Sequence, residues 1–447
     1  MTKSKWDLGK HPDRIQYFRG PLVEFEEGCP ICGQNKSSVA LEVEFEGNRL
    51  QMRRCECESL FYPGRVAPNY GEVEGHDSFW MRIDQAEGID ATIRPIFLSS
   101  ELNGFPVVDI GCGMGFSSDF IRHQNRSSIA FDPSSAAKMS NDILGINIIQ
   151  DFAQPELVQF SGPRLVYASE VVEHVDHPKE FLGVISKIAG NEGFAILTTP
   201  NAEYISNRAD QSTVRAMLAP SQHLFLFSAS ALSAICKDAG FSWVRVLVEN
   251  ERLIVICGPR EVSIDDSFSR NDFIEYLQGQ LANENIDYSV RIRSFGYRLF
   301  KELLHSARYA ESLAVLEKLT EAYSGFGFNL NSPEDIVKRF KDCLKSSFTL
   351  PPAEKYPFNL AILMYLIGTL KIAHYRDRKY AFRYFRAART LSNFYGEIFS
   401  VNGIFAAYDL EIQFVASWSR RSILLHSPII GIGFRNFRKL IGRAKPK

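Results

Sequence analysis

The chain has 447 residues, of which 45% are hydrophobic and 23% charged, and its formal net charge is -1. This composition excludes a wholly disordered chain and a protein that binds polyanions through its overall charge. At about 100–200 residues per domain, the length predicts two to four domains. The polar N-terminus lacks the apolar core of a secretory signal, and no apolar run reaches the roughly 18–20 residues of a membrane span, so we expect a cytoplasmic protein.

A cysteine cluster marks the first region, residues 1–84, whose short alternating stretches predict a small β-rich module. Two close pairs, Cys29-x-x-Cys32 and Cys55-x-Cys57, offer four thiolates. Four thiolates in two pairs suit a tetrahedral structural Zn²⁺. The second pair is one residue shorter than the spacing of the usual zinc ribbon. Four free cysteines or a disulfide are the alternatives.

Residues 85–260 alternate apolar runs with helical patterns, which is typical of a parallel sheet with crossover helices. The last two runs are separated by a tight turn and predict an antiparallel hairpin. The prediction is therefore an α/β fold with a mixed, doubly wound sheet of seven strands. The predicted strands are Phe105–Ile110, Ser127–Phe131, Ile146–Ile149, Arg164–Ser169, Gly193–Thr199, Ser242–Glu249 and Arg252–Gly258.

A glycine-rich loop follows the first of these strands. Asp109 ends the strand, and Gly111, Gly113 and Gly115 then alternate with other residues. Glycines in this place let the backbone turn sharply and approach a ligand closely. Dinucleotide-binding enzymes carry G-x-G-x-x-G at the same place, but the spacing here is G-x-G-x-G. The acid before the loop would repel a pyrophosphate and attract a cation or an ammonium group.

Acids also follow the second and third predicted strands. Asp132 ends the second strand, and a carboxylate there can accept hydrogen bonds from both hydroxyls of a ribose. Asp151 and Phe152 follow the third strand, where they can hold an adenine by its amine and its ring face. A helix cap or a solvated loop would explain one such acid, but hardly three at successive strand ends.

Together, these motifs resemble those of the class I S-adenosylmethionine-dependent methyltransferases. VVDIGCGMGF is similar to their first motif, FDPS to their ribose motif and QDF to their adenine motif. The resemblance covers roughly residues 80–260 and implies a Rossmann-like fold with S-adenosylmethionine as the cofactor. Position by position, it implies a methionine site at Asp109, Gly111, Cys112, Gly113 and Gly115, a ribose site at Asp132 and an adenine site at Asp151 and Phe152.

The segment after the fourth strand, SEVVEHV, carries two acids and a histidine. If a helix starts at Glu170, then Glu170, Glu173 and His174 share one face, and three valines form the opposite face toward the sheet. Two carboxylates and an imidazole suit Mg²⁺ or Mn²⁺, which would lower the pKa of a substrate hydroxyl. Without a metal, His174 could act as a general base.

This segment resembles that of the ubiquinone-biosynthesis O-methyltransferases, and its Glu-x-x-Glu-His is similar to that of small-RNA 2′-O-methyltransferases. In both families these residues are metal ligands, and the RNA enzymes add a histidine from a later loop. The resemblance implies Glu170, Glu173, His174 and His223 as catalytic residues and metal ligands, and Thr198–Asn201 at the acceptor pocket. Many methyltransferases with this pattern have no proven metal; in them Glu170 helps to close the cofactor pocket, so a structural role stays open.

Residues 261–447 change to helical periodicity and predict a helical accessory domain. Ser332–Asp335 is a strong helix start, because a capping serine is followed by proline and two acids. Further helices are predicted over Ala310–Tyr323 and Lys379–Leu391, and the apolar run Asn359–Leu370 predicts a buried helix.

The C-terminal end of the chain is basic, because no acid follows Glu411. A basic end interleaved with apolar residues can lie on an anionic membrane surface or contact an anionic partner, with a solvated tail as the alternative. The basic residues concerned are Arg420, Arg421, Arg435, Arg438, Lys439, Arg443, Lys445 and Lys447.

These patterns predict a methyltransferase that acts on a hydroxyl of a small molecule or glycan. The cysteine module resembles zinc-ribbon-like modules that precede many bacterial methyltransferase domains, including sugar-modifying ones. One alternative is a nucleotide-sugar C-methyltransferase. An RNA 2′-O-methyltransferase is a second, disfavoured by the neutral charge and the lack of a basic stripe. A third is a non-enzymatic scaffold that binds the cofactor, against which the intact motif set argues.

Overall fold

A computed structural model describes residues 14–45, 47–67, 80, 82–84, 89–220, 222–346, 356–402 and 418–423. In these ranges the chain forms an N-terminal antiparallel sheet, a mixed sheet with helices on both faces, and a C-terminal set of helices. No helix within them has the length and apolar character needed to cross a membrane. Most of the predicted basic tail, from Arg435 onward, lies outside the described residues.

The N-terminal sheet takes five of its six strands from the first part of the chain. They are β1 (Arg14–Tyr17), β2 (Val23–Glu24), β3 (Lys36–Phe45), β4 (Asn48–Cys55) and β5 (Leu60–Phe61). The long pair β3–β4 buries alternate apolar side chains such as Leu41 and Val43, as expected for a sheet with one covered face. The sixth strand, Phe225–Leu226, comes from much later in the chain and pairs with β5.

The mixed sheet is formed by β6 (Val107–Ile110), β7 (Ser128–Phe131), β8 (Leu165–Ser169), β9 (Phe194–Pro200), β11 (Trp243–Glu249) and β12 (Arg252–Gly258), while β10 (Phe225–Leu226) is the sixth strand of the N-terminal sheet. The order of the mixed sheet is β11-β12-β9-β8-β6-β7. Strands β7, β6, β8 and β9 are parallel, whereas β12 is antiparallel to both β9 and β11. The predicted terminal hairpin is therefore confirmed.

The predicted third strand, Ile146–Ile149, is wrong. It makes only one bridge, between Ile149 and Phe131, so the described mixed sheet has six strands and not seven. Ile149 alone pairs with β7: its N–H donates to the Ala130 carbonyl at 2.8 Å, and its carbonyl accepts from the N–H of Asp132 at 3.1 Å. Asn141 accepts from the Ile148 N–H at 2.9 Å and donates to the Ile148 carbonyl at 2.9 Å. Both backbone groups of Ile148 are thus satisfied without a ladder.

The inner strands are buried on both faces, and consecutive residues enter opposite core clusters, as the period of two requires. Val107 and Leu165 belong to one cluster, whereas Val108 and Val166 belong to the other. Helices cover both faces. They are α1 (Ile89–Ile93), α2 (Phe116–His123), α3 (Ser135–Leu144), α4 (Pro178–Ala189) and α6 (Ala229–Asp238), whereas α5 (Gln211–Leu218) packs on the N-terminal sheet.

The C-terminal region is helical, as predicted. The helix start predicted at Ser332–Asp335 is confirmed, because a helix begins at Pro333. The buried helix predicted over Asn359–Leu370 is confirmed at Leu360–Ala373. A π-helical turn, Ile292–Gly296, interrupts the first part of the region. The helices are α7 (Arg270–Ala282), α8 (Tyr288–Arg291), α9 (Tyr297–His305), α10 (Tyr309–Gly325), α11 (Pro333–Ser346), α12 (Leu360–Ala373) and α13 (Arg378–Asn402).

The helical region is packed onto the mixed sheet through α2 and α7. Phe120 of α2 contacts Phe273 and Tyr276 of α7 at ring-centroid distances of 5.8 and 5.4 Å. The hydroxyl of Tyr276 also donates to Asp119 at 2.7 Å. One continuous core cluster therefore spans the sheet and the helical region.

A buried ion pair is a second contact between the helical region and the residues that precede the mixed sheet. The guanidinium of Arg293, in the π-helical turn, donates through Nε and Nη2 to the carboxylate of Asp84, and both side chains are buried. The N–H of Phe358, just before α12, donates to Asp84 Oδ2 at 2.8 Å. The ring of Trp80 lies 3.9 Å from the guanidinium carbon of Arg293. Three separate parts of the chain thus meet at one carboxylate.

Candidate functional site

The loop between β6 and α2 can be built only with glycine at its key positions. Gly111, Gly113 and Gly115 have φ angles of 67°, 55° and 75°, in the left-handed region that favours glycine. A Cβ atom at Gly111 would lie 2.5 Å from Cγ2 of Val171, and one at Gly115 would lie 2.8 Å from Cδ1 of Ile148. Val171 and Ile148 therefore leave no room for a side chain at these two positions, and the close approach of the loop to a ligand stays a prediction.

Asp109 ends β6 and is fully enclosed by protein. Its Oδ2 accepts hydrogen bonds from Ser117 Oγ at 2.6 Å and Ser118 Oγ at 3.2 Å, so the carboxylate is directed to the first turn of α2. Burial raises the pKa of Asp109 to about 6, and the nearby Asp132 adds to this effect. A role for Asp109 at the methionine end of the cofactor stays a prediction.

Asp132 connects the glycine loop to the end of β7. Its Oδ2 accepts from the N–H of Gly113 at 2.7 Å, and its Oδ1 accepts from the N–H of Ser134 at 2.8 Å. A carboxylate has about four acceptor positions, so further capacity remains for the hydroxyls of a ribose. The position of Cys112, half-buried within the same loop, also agrees with a lining role.

The predicted adenine residues lie at the surface beyond α3. Asp151 is exposed, and its Oδ1 accepts from the N–H of Phe152 at 2.7 Å. The side chain of Phe152 is 66% exposed, which is unusual for a large apolar ring. An exposed ring beside a carboxylate can stack on a planar base while the carboxylate accepts from its amine.

The helix predicted to start at Glu170 is wrong. Glu170 has a φ of 54°, the next helical turn is a short 3-10 turn at Val172–His174, and α4 begins only at Pro178. The N–H of Glu170 donates to the Thr198 carbonyl at 2.9 Å, which continues the pairing of β8 with β9 beyond the end of β8. Thr198 Oγ1 also donates to Glu170 Oε1 at 2.7 Å.

The three valines of this segment do not form the common buried face that a helix would give them. Only Val172 is fully buried, whereas Val171 is half-buried and lies against the backbone of Gly111. The acidic segment is therefore placed by strand pairing and by contact with the glycine loop, and not by a helix face.

Three of the four predicted catalytic residues nevertheless meet. One ligand atom each of Glu173, His174 and His223 lies within 4.8 Å of the others. The two imidazole rings are 4.8 Å apart between centroids and nearly perpendicular. Glu170 is not part of this group, although its carboxylate raises the pKa of Glu173 in addition to the effect of burial.

Both histidines are held in one tautomer. His174 Nδ1 lies 3.1 Å from the Gln222 carbonyl, and His223 Nδ1 lies 2.6 Å from the Met217 carbonyl. A carbonyl can only accept, so each Nδ1 carries the proton and each Nε2 carries the lone pair. Burial lowers the pKa of His174 to about 3 and that of His223 to about 4. Both rings are therefore neutral near pH 7, which is the form that ligates metals.

Glu173 is the exceptional residue of this group, because it is 0% exposed. Its Oε2 accepts from Thr199 Oγ1 at 3.0 Å, whereas its Oε1 has no hydrogen-bond partner among the described residues and lies 3.8 Å from His174 Nε2. Burial raises the pKa of Glu173 well above its ordinary value. A buried carboxylate oxygen without a partner is costly unless a proton or a cation reaches it. The donor set of one carboxylate and two imidazoles therefore fits a divalent cation.

The four N-terminal cysteines also converge, with ligand atoms within 4.8 Å of one another. The sulfurs of Cys29 and Cys57 are 3.9 Å apart, and those of Cys32 and Cys55 are 3.4 Å apart, which excludes a disulfide in either pair. Zn–S bonds of about 2.3 Å in a tetrahedron place sulfurs about 3.8 Å apart. A hydrogen bond from Cys29 lowers the pKa of Cys57 to about 5, whereas burial raises the pKa of Cys55 to about 12.

Residues 82–246 match a family model described as a methyltransferase domain. The mitochondrial ubiquinone biosynthesis O-methyltransferase of Dictyostelium discoideum is 29% identical over 133 residues, which cover 25% of this chain and 40% of that protein. The chain thus spans less than half the length of this relative.

Solved structures of similar proteins include two S-adenosylmethionine-dependent methyltransferases. The one from Mesorhizobium loti is 15% identical, with 38% of this chain and 99% of that chain covered and a TM-score of 0.31. The one from Archaeoglobus fulgidus is 14% identical, with 40% and 98% covered and a TM-score of 0.32.

The matched range includes the glycine loop, Asp132, Asp151 and the acidic segment. The resemblance inferred from these motifs is confirmed, and the cofactor of such a domain is S-adenosylmethionine. This chain carries a class I S-adenosylmethionine-dependent methyltransferase domain.

Proposed function

We propose that the chain methylates a hydroxyl oxygen of a small molecule or glycan, with Mg²⁺ or Mn²⁺ at the acceptor side. The observation that carries the proposal is the buried group Glu173, His174 and His223, whose unpaired carboxylate oxygen and two neutral imidazoles form a donor set for a cation. The name of the curated relative, an O-methyltransferase, agrees with an oxygen acceptor.

The donor side is formed by the glycine loop, Asp132, Asp151 and Phe152. S-adenosylmethionine supplies a methyl group on a sulfonium sulfur, which is electrophilic without further activation. The protein has to hold the donor and the acceptor oxygen in line, because most of the rate gain in such a transfer comes from positioning. Asp132 serves this purpose by fixing the glycine loop and by keeping acceptor capacity for the ribose.

The acceptor side is formed by the buried group. Glu173, His174 and His223 would hold the cation, which lowers the pKa of an acceptor hydroxyl. The carbonyls of Gln222 and Met217 fix the imidazoles, as outer hydrogen-bond partners of metal-ligating histidines commonly do. If no cation binds, His174 Nε2 is in the neutral form that can take a proton from the acceptor.

A cavity of about 540 Å³ lies between the N-terminal sheet and the segment after β9. Its volume is in the range of about 300–1,000 Å³ that is usual for small-molecule sites. Ile205, the first lining residue of this segment, comes about six residues after Thr199. Six residues of chain span at most about 20 Å, and this is the greatest distance along the chain between Ile205 and the Thr199 hydroxyl that contacts Glu173. The lining residues are Tyr17, Phe18, Arg19, Ala40, Leu41, Arg54, Ile205, Ser206 and Asn207. We include this cavity in the proposed acceptor site.

The proposal is tested by transfer of labelled methyl groups from S-adenosylmethionine to fractions of a cell extract. Small-molecule, glycan and RNA fractions are incubated separately with the chain. We expect an alkali-stable methyl ether in the small-molecule or glycan fraction. Label confined to RNA, or attached to carbon or nitrogen, would contradict the proposal.

Asp132→Ala is expected to weaken the binding of S-adenosylmethionine by about 1–3 kcal/mol, because it removes the acceptor for buried ligand donors. Isothermal titration calorimetry measures the change. The control is Asp142→Ala, an exposed aspartate in α3, which is expected to bind the cofactor normally. Equal affinities for the two variants would remove Asp132 from the cofactor site.

We also propose that the N-terminal cysteines bind one structural Zn²⁺. Purified protein is expected to contain about one zinc per chain, and Cys29→Ser with Cys55→Ser is expected to lose the zinc and the stability of the N-terminal sheet. Elemental analysis and proteolysis of the N-terminal region measure both effects. Cys236→Ser, at a buried cysteine outside the cluster, serves as the control that keeps its zinc. Zinc-free protein from a preparation without chelators would exclude the proposal.

A further inference from the structure

The N-terminal sheet is completed by a strand from the methyltransferase domain. Strand β10 pairs with β5, and Leu224, which precedes β10, lies between two partners. Its carbonyl accepts from the N–H of Tyr62 at 2.9 Å, and its N–H donates to the Glu173 carbonyl at 2.9 Å. His223 is the residue directly before Leu224. The backbone next to the catalytic imidazole is therefore held by the N-terminal sheet on one side and by Glu173 on the other.

Ser228, which follows β10 by two residues, is bonded to the loop that carries Cys55 and Cys57. We call this loop, residues 55–59, the cysteine loop. Ser228 Oγ donates to the Cys57 carbonyl at 2.6 Å, and the N–H of Ser228 donates to Ser59 Oγ at 3.0 Å. Ser228 Oγ also accepts from the N–H of Ala231 at 3.1 Å as the N-cap of α6. Ser59 and Ser228 are both 0% exposed, so water does not compete for these bonds.

The cysteine loop and β5 form one tight unit. The N–H of Glu58 donates to the Cys55 carbonyl at 2.9 Å, and the N–H of Cys55 donates to the Ser59 carbonyl at 3.1 Å. The pairing of β5 with β10 is only two residues long, and so short a pair is not stable alone. The β5–β10 pair therefore depends for its stability on the bonds of Ser228 to Ser59 and Cys57 in the cysteine loop.

We propose that the N-terminal cysteine module is a positioning element of the catalytic site. It holds the segment from Gln222 to Ser228, which we call the bridging segment, and thereby fixes the His223 imidazole opposite Glu173 and His174. The module thus acts through the backbone of the segment and not by contact with the reacting atoms. The inference rests on the proposed function only in taking His223 as an acceptor-side residue.

The test uses the full chain with Ser59→Ala and, separately, Ser228→Ala. Each variant removes part of the link and leaves all cysteines and all proposed ligands in place. We expect amide hydrogen exchange in residues 222–228 to become at least about tenfold faster, as local opening replaces a closed segment. We expect kcat to fall by about 10–100-fold, because a misplacement of about 1 Å caused by a distant substitution can cost about 10²-fold in rate. Zinc content and the affinity for S-adenosylmethionine are expected to stay unchanged.

The matched control is Ser269→Ala, which removes a comparable N-cap from α7, where Ser269 Oγ accepts from the N–H of Asp272 at 3.2 Å. It is expected to leave both the exchange of residues 222–228 and kcat unchanged. Ser228→Thr, which keeps a hydroxyl at the link, is expected to restore slow exchange and most of kcat. If Ser228→Ala does not fold, Ser59→Ala decides the question, because it removes the acceptor of the Ser228 N–H and keeps the N-cap of α6.

Two outcomes would overturn the inference. Exchange in the bridging segment that stays slow in both alanine variants would show that the module does not hold it. Faster exchange with an unchanged kcat would show that holding the segment does not serve catalysis. If the wild-type chain transfers no methyl group to any acceptor, the proposed function fails, whereas the exchange measurement still decides whether the module holds the segment.

Discussion

Glu173→Gln is expected to lower kcat for methyl transfer by about 10²–10⁴-fold while the affinity for S-adenosylmethionine changes by less than about threefold. The carboxylate is buried, and its Oε1 has no hydrogen-bond partner in the part of the chain that the structure describes. An amide keeps the shape of the side chain and loses the charge that a cation or a transferred proton requires. The loss therefore falls on the acceptor side, and steady-state assays with labelled donor, together with calorimetry, separate the two effects.

Glu180→Gln, at an exposed position in the first turn of α4, is the control and is expected to behave as the wild type. A chelator is expected to abolish activity, and Mg²⁺ or Mn²⁺ to restore it. If a chelator has no effect but His174→Ala lowers the rate by about 10²–10⁴-fold, His174 is a metal-free base. Full activity in chelator with a near-normal His174→Ala variant would contradict both mechanisms.

Asp84→Asn is expected to lower the free energy of unfolding by about 3–5 kcal/mol, because it removes the negative charge that accepts two hydrogen bonds from the buried guanidinium of Arg293. The effect is large because the same carboxylate also accepts from the backbone N–H of Phe358. The substitution therefore loosens the helical region from the start of the methyltransferase domain. Urea titrations followed by circular dichroism measure the change.

The exposed ion pair between Glu334 and Arg383 provides a comparison for this prediction. Its side chains are 55% and 41% exposed, so Glu334→Gln is expected to cost less than about 1 kcal/mol. Replacing both partners of the buried pair, as Asp84→Leu with Arg293→Met, is expected to recover much of the loss, because no unpaired charge remains. Equal costs for Asp84→Asn and Glu334→Gln would contradict the role given to the buried pair.

The parts of the fold that depend on local patterns were predictable from the sequence. Apolar runs bounded by turns placed six strands of the mixed sheet, and the terminal hairpin followed from the short turn between its strands. The third predicted strand failed because only Ile149 of this segment pairs with β7, whereas the backbone of Ile148 is bonded to the Asn141 side chain. A hydrophobic pattern cannot predict such bonds. It shows which side chains are apolar, but it does not show which backbone groups are hydrogen-bonded to which partners.

The site was predictable to a similar extent. The motif identified Glu173, His174 and His223, but it assumed a helix at Glu170, where the backbone adopts a positive φ that is uncommon for glutamate. The groups that orient the two imidazoles are the carbonyls of Gln222 and Met217. Every residue has a carbonyl, so no sequence signal distinguishes these two. Ser228 did carry a signal, because a serine before an apolar helical pattern is a typical N-cap.

The pairing of β5 with β10 has a consequence for how the chain folds during synthesis. Ser59 and Ser228, which lie at this junction, are separated by 169 residues. At roughly 5–20 residues per second, a ribosome needs roughly 10–30 s to make this length. During that time the edge of the N-terminal sheet stays unpaired, and open strand edges promote aggregation. We therefore expect a fragment that ends near residue 84 to associate through β5, whereas the chain extended past β10 closes that edge itself.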